Sequence, residues 1–325
     1  EHPLLLDRFL EDAVEVDLDV LCDGRDVHPC GLLEHVEPAG IHSGDSMQVF
    51  PAQTLAPALR DEMLAVARGV AAATRAVGLL NLQFAVADGT LYLLEANPRA
   101  SRTVPFLHKA AGAPWARLAA RLMAGRTLAE VRPPEPDPRG RVWVKAPVFP
   151  FARFGVDPVL GPEMRSTGEV LGSGPTFGHA LAKAIRATGC RLDETDAVFV
   201  SLNDRDKAKP QAAALARAVG ESGLTVHATS GTASFLAAHG VDARVLDKLG
   251  EGRQGGGDAI ALLARNQIGL VLNTPRGGKG RTDAAAIRMA ALKAGVACMT
   301  TLEGALAAVE GMRALRAGGL DVAPL

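Results

Sequence analysis

The 325-residue sequence lacks several features that would decide its class at once. Its 4 cysteines, Cys22, Cys30, Cys190 and Cys298, are scattered, with no Cys-x-x-Cys pair among them. That suits reduced thiols in a cytosolic protein better than a disulfide framework or a zinc site. Neither sign of charge prevails, since Lys plus Arg (35) nearly balances Asp plus Glu (36). No global field therefore draws the chain to nucleic acid or to an anionic membrane, and any anion site must be local. No apolar run reaches transmembrane length and no signal peptide is legible. Neither a Ser-His-Asp nor a Cys-His constellation stands out.

What is present is apolar material for two ordinary cores, at 48% hydrophobic content. The chain opens on Glu1 and runs straight into "HPLLLDRFLEDAVEVDLDV", which reads as a piece of something longer. Through about residue 190 the pattern is rich in strands. "AVEVDLDVL" (13–21) and "NLQFAVA" (81–87) alternate, while "LYLLEAN" (91–97) is almost continuously apolar. One long helix is expected over 56–76. "RPPEPDPRG" (132–140) is a connector, because its prolines remove donors and restrict their neighbours. "VWVKAPVFPF" after it reads as a strand returning to the same domain. From about 195 strand and helix alternate to the end, which predicts parallel strands with crossover helices in a doubly wound sheet. Ligands of such sheets sit at the carboxyl ends of the strands.

The stretch "YLLEANPRASRT" (92–103) gathers Glu95, Asn97, Arg99 and Arg102 at the end of an apolar strand. Glu95 and Asn97 are two apart, so both side chains leave one face. "ADGTL" before them is a turn that pairs this strand with the one carrying Gln83. A two-residue loop at Asp88-Gly89 sets Gln83 against Leu94, on the wrong face. A three-residue loop, Asp88 to Thr90, sets it against Glu95, and the expectation is the latter. Converging carboxylate and amide oxygens suit Mg²⁺ or Mn²⁺, and the arginines could clamp phosphate or developing negative charge. The plainer alternative is a structural ion pair between Glu95 and Arg99.

"NLQFAVADGTLYLLEANPRASRTVPF", "EHVEPAGIHSGDS" (34–46) and "GPEMRSTGEVLG" (161–172) together resemble the C-terminal synthetase half of carbamoyl-phosphate synthase large subunits. The tail from about 191 resembles the terminal regulatory domain of that family, so the likeness covers the whole chain. It implies an α/β and α+β chain. Residues 1–190 would be the C-terminal part of an ATP-grasp domain, and 191–325 a doubly wound, methylglyoxal-synthase-like allosteric domain. The implied activity is ATP-dependent phosphorylation of carbamate to carbamoyl phosphate, for pyrimidine and arginine biosynthesis. By the same resemblance Gln83, Glu95 and Asn97 bind divalent metal, Mg²⁺ or Mn²⁺ with K⁺ admitted, and Arg99 and Arg102 are the active-site arginines. "DRFLEDAVEV" would line adenine and ribose, with Arg8 where many relatives carry Lys, Leu10 against the purine and Glu15 accepting from ribose. "GIHS" would touch the nucleotide through Gly40, Ile41, His42 and Ser43. Arg165 is expected in a structural ion pair. The implied partners are a glutaminase small subunit and the upstream part of the large subunit, in an oligomer. Without the upstream subdomain the chain is not expected to turn over by itself.

In the second half Lys207 follows the first strand and "ATSGTAS" holds Thr229 and Thr232 at a strand-to-helix turn. Lys248 ends the third strand, and Asn273 and Thr274 end the fourth. Hydroxyls at a helix start with lysines nearby form a phosphate site, and the resemblance assigns it a nucleotide monophosphate such as uridine monophosphate. Three departures accompany these matches. "RQGGGDAI" (253–260) is similar to the Gly-Gly-Asp of methylglyoxal synthase itself, which makes Asp258 the centre of a rival reading. "PRGGKGRTD" (275–283) is richer in glycine than the family pattern. Relatives activated by ornithine gather carboxylates around it. Glu37 and Asp45 match two of them, but Ala146 after Lys145 stands where a Glu is expected, which puts ornithine in doubt. A ligand-binding module without chemistry is the remaining alternative.

Overall fold

The computed structural model describes residues 4, 9–192, 196–246, 258–275, 282–318 and 320–322. They fall into two compact units. One runs to Ser43 and resumes over Gln48–Gly140, and the other comprises Gly44–Met47 and the chain from Arg141.

The first unit contains β1 (Val14–Asp23), β2 (Val27–His35), β3 (Gln48–Phe50), α1 (Pro57–Thr74), β4 (Val77–Ala87), β5 (Thr90–Asn97), α2 (Thr103–Ala110), α3 (Trp115–Met123) and α4 (Leu128–Val131). Its strands run antiparallel in the order β5-β4-β1-β2-β3. Alternation gives the sheet two faces of opposite character. Val16, Leu18 and Val20 of β1 share one face with Leu80, Leu82 and Phe84 of β4, and α1 covers it with Met63, Ala67 and Ala71, spaced four apart. α1 starts on Pro57, whose missing N–H falls where no helical bond is needed, and ends on Arg75 in the left-handed region (φ 52). The other face carries Glu15, Asp17, Asp19, Asn81 and Gln83, and all but Gln83 of these polar residues are buried.

The second unit contains β6 (Val142–Val148), α5 (Phe151–Phe154), β7 (Gly168–Gly174), α6 (Phe177–Ala187), β8 (Ala197–Ser201), α7 (Asp204–Lys207), α8 (Pro210–Glu221), β9 (Thr225–Ala228), α9 (Ser230–Ala238), β10 (Arg244–Val245), α10 (Ala259–Ala264), β11 (Leu270–Asn273), α11 (Thr282–Lys293), β12 (Ala297–Met299) and α12 (Leu302–Gly318). β6 and β7 pair antiparallel and α6 lies against them at backbone distance: a Cβ on Gly172 would collide with the Ala180 carbonyl oxygen. The parallel sheet has the order β10-β9-β8-β11-β12, with every neighbour parallel. The winding reverses between β8 and β11, and in sheets of this kind ligands bind outside the carboxyl ends of the strands at such a switch point. Phe199 and Val271 of these strands pack on Ile287 and Ala291 of α11. None of the four cysteines is in a disulfide. Among the described residues no helix is long and apolar enough to cross a membrane.

Candidate functional site

The β4–β5 hairpin turns on two residues, Asp88 (φ 50) and Gly89 (φ 73), with Ala87 paired to Thr90. Two successive positive φ values are the mark of the tight hairpin turn whose twist matches the strands. This corrects the expected three-residue loop. Gln83 nevertheless pairs with Glu95, because the register shifts between Gln83 and Phe84 and leaves Leu94 as an extra residue in β5. Leu94 is correspondingly exposed. The bulge, not the loop length, puts Gln83 and Glu95 on one rung.

Around that rung the polar face of the first unit assembles most of the expected residues. Asn97 donates to Glu95 Oε1 at 2.8 Å, and Gln83 donates to the Ser43 hydroxyl at 3.0 Å. The Gly40 amide donates to Glu15 Oε1 at 3.3 Å. Gly40 takes φ 99, and a Cβ there would lie 3.6 Å from the ring of Phe9, which sets the segment bearing Leu10 beside the Gly40–Ser43 loop. Ile41 is buried, and His42 and Ser43 are half-buried. Glu15, Gly40, Ser43, Gln83, Glu95 and Asn97 are thus linked step by step in one patch, with Leu10 next in the chain to Phe9 at its edge. Arg8 lies outside the described residues.

Among the described residues Arg99 forms no ion pair with Glu95. Arg99 is exposed and donates to the Ala100 carbonyl at 3.2 Å, while Arg102 stands half-buried at the start of α2. Nor does Arg165 pair through its guanidinium, which reaches the Val159 carbonyl at 3.4 Å. Its backbone amide, with that of Ser166, donates to the buried Asp45 carboxylate at 2.7 and 2.9 Å.

Beneath the patch lies a buried polar layer that the sequence reading passed over. His35 sits between Glu15 (3.3 Å) and Asp17 (3.5 Å), and Gln48 donates to Asp17 at 2.8 Å. Burial by itself would lower the pKa of the imidazole. The charge of Asp17 and the hydrogen bonds to Asp17 and Glu15 raise it instead, to about 9. Asp19 is raised to about 6 by burial, against hydrogen bonds from Thr103, Ser101 and Asn81. The available signal was the strict alternation of "VEVDLDV". It shows a polar face but not that the face is covered.

Glu95 with two side-chain amides is a set of hard oxygen donors that fits a divalent cation of the Mg²⁺ type, which takes the rest of its shell from water and phosphate. Among the described residues no group of three His, Cys, Asp or Glu is arranged to hold a metal by itself.

In the second unit five of the six expected phosphate-site residues meet at the carboxyl end of β8, and Lys248 lies outside the described residues. Thr232 accepts from the Leu202 amide and Thr274 from the Asn203 amide, each at 3.0 Å, so the two hydroxyls flank successive residues. Thr229 donates to Thr232 at 3.1 Å. Lys207 Nζ, held by Asp204 at 3.0 Å, stands where a Cβ on Gly231 would be 3.4 Å away, over the first turn of α9. Both threonines retain their own O–H as donors. Asp258 caps α10, accepting from the Ala261 amide at 2.7 Å, which is a structural role for the residue of the rival reading. The glycines of 253–257 and 277–280 lie outside the described residues.

These features define a class: the C-terminal part of an ATP-grasp domain, joined to a doubly wound, methylglyoxal-synthase-like domain. Residues 1–131 match the family described as "Carbamoyl-phosphate synthase L chain, ATP binding domain", and residues 211–300 match "MGS-like domain". The chain is 48% identical over 97% of its length to the carbamoyl phosphate synthase large chain of Rubrobacter xylanophilus, covering 29% of that protein. It is 47% identical to that of Archaeoglobus fulgidus, over 97% of this chain and 29% of the relative. It is 42% identical over 99% of its length to the "Carbamoyl phosphate synthase large chain, C-terminal section" of Methanocaldococcus jannaschii, covering 53% of it. The chain is a homologue of the C-terminal section of carbamoyl phosphate synthase large chains. It spans under a third of the full-length relatives named here, at 29% of each. Among solved structures it resembles the "Biotin Carboxylase domain of single-chain bacterial carboxylase" (TM-score 0.44, 20% identity, 55% of this chain and 48% of that one).

Proposed function

We propose that the chain serves the carbamoyl-phosphate-forming step of a carbamoyl phosphate synthase, with residues 1–190 as the ATP-grasp part and 191–325 as the allosteric part. The observation that carries this reading is the pairing of Gln83 with Glu95, with Asn97 two residues on. Leu10, Glu15 and the Gly40–Ser43 loop hold ATP, and Arg8 belongs to the same group. Gln83, Glu95 and Asn97 hold Mg²⁺ or Mn²⁺, which when bound neutralises charge on the nucleotide phosphates. Arg99 and Arg102 bind the transferring phosphoryl group and stabilise its charge as the carbamate oxygen attacks, so catalysis here is positioning and electrostatics. The partners are the remainder of the large chain and a glutaminase subunit, in an oligomer in the cytoplasm. Lys207, Thr229, Thr232, Lys248, Asn273 and Thr274 receive a nucleotide monophosphate as effector.

The test replaces the C-terminal section of the Rubrobacter xylanophilus large chain with this chain and measures ATP formation from carbamoyl phosphate and ADP. The chimera is expected to be active, Glu95→Gln to lose activity about 100-fold or more, and the 325-residue chain alone to be inactive. A chimera that binds the glutaminase subunit and forms no ATP refutes the proposal.

A further inference from the structure

Arg288 of α11 is buried at 4% exposure, and every nitrogen of its guanidinium is engaged by one of two partners. Nε donates to Asp157 Oδ1 at 2.6 Å and Nη2 to Asp157 Oδ2, the two-pronged contact that only a planar fork can make. Nη1 donates to Asn273 Oδ1 at 2.7 Å. A guanidinium has no acceptor, so the amide of Asn273 must present its oxygen to Arg288 and turn its NH₂ away. Asn273 is the last residue of β11, at the switch point of the parallel sheet. Asp157 belongs to the segment between α5 and β7, whose far end, Arg165 and Ser166, is bound through its backbone amides to Asp45. Asp45 stands two residues after Ser43, the partner of Gln83. All the contacts from Asn273 to Asp45 lie within the second unit.

We propose that Arg288 is a positioning residue for regulation. It fixes the Asn273 amide with its donor toward an anionic or carbonyl-bearing effector, and through Asp157 it ties that strand end to the segment that Asp45 anchors. A ligand drawing on Asn273 then alters the hold on Asp157, and with it the anchoring of the residues that follow Ser43. This rests on the effector reading of the Thr229–Thr274 group for its ligand, but not for the link itself.

The experiment is hydrogen exchange on the full 325-residue chain, with and without uridine monophosphate as the probe. Without probe, Arg288→Lys, which keeps the charge and loses the fork, is expected to speed exchange of the Arg165, Ser166 and Gly44–Met47 amides about tenfold or more, leaving the interior of β8 unchanged. Asp157→Asn should give the same pattern, and the double variant no more than either single one. With probe, exchange at 44–47 slows in the wild type and stays unchanged in both variants. Exchange at 44–47 unaffected by either variant, or additive effects in the double variant, overturns the link. Wild-type protein that fails to bind uridine monophosphate removes the effector reading, while the probe-free comparison still decides the link.

Discussion

In the buried layer between Glu15 and Asp17 the pKa of His35 is raised, and raising the pH is the perturbation that tests it. Its folded-state pKa of about 9 lies above its ordinary 6.5. The stabilisation is therefore complete below about pH 6.5 and is lost as the pH rises through about 9. At about 1.4 kcal/mol per pH interval of one, the retained proton contributes about 3 kcal/mol to the folded state. Trp115 is buried in α3 of the first unit, so its fluorescence during urea unfolding reports that unit once Trp143 is replaced by Phe. The free energy of unfolding should fall by about 3 kcal/mol between pH 6.5 and 9. In His35→Gln that fall should vanish, and stability at pH 6 should drop by about 3–5 kcal/mol because two buried carboxylates lose their cation. If His35→Gln keeps the wild-type slope between pH 6.5 and 9, the dependence belongs to other groups and the reasoning fails.

Thr103→Val should cost about 1–3 kcal/mol at pH 8, where the Asp19 carboxylate is ionised and needs its donors, and less at pH 5. Because burial raises Asp19 to about 6, its ionisation lowers stability as the pH climbs from about 4 to about 6. Carboxyl infrared titration of the variant should place the Asp19 transition above the wild-type value, and an unmoved transition would refute the role given to Thr103. Gly89→Ala should cost only about 1 kcal/mol, since the strain is in the backbone and nothing lies near the new methyl. Gly172→Ala should cost about 3 kcal/mol or more, because the methyl would meet the Ala180 carbonyl and α6 would have to move off β7. Denaturation midpoints separate the two, and equal losses would contradict the close approach.

The strand-helix rhythm of the second half was legible because each element there is short, apolar and bounded by polar turns. The parallel order followed from crossover geometry. The pairing of Gln83 with Glu95 was legible for the wrong reason. Alternation counts residues along one strand and cannot show that Leu94 is skipped by the ladder. The carboxylates of β1 were visible as an alternating polar face, yet that alternation does not indicate that His35, at the far end of the next strand, returns beside Glu15. Arg165 drew attention through its charge, whereas its backbone amide makes the contact that matters. Arg288 gave no signal at all, since one arginine in an Ala-rich helix reads as solvated.

The sequence by itself determined which residues carry oxygen donors and cations, the period of each element, and a resemblance spanning its length. Those are properties of neighbours along the chain, which local sterics and alternation express directly. Only the tertiary structure decided which polar groups are buried together. Dielectric and partner distance, which set the proton on His35 and the grip of Arg288 on Asp157, exist only after distant segments have met.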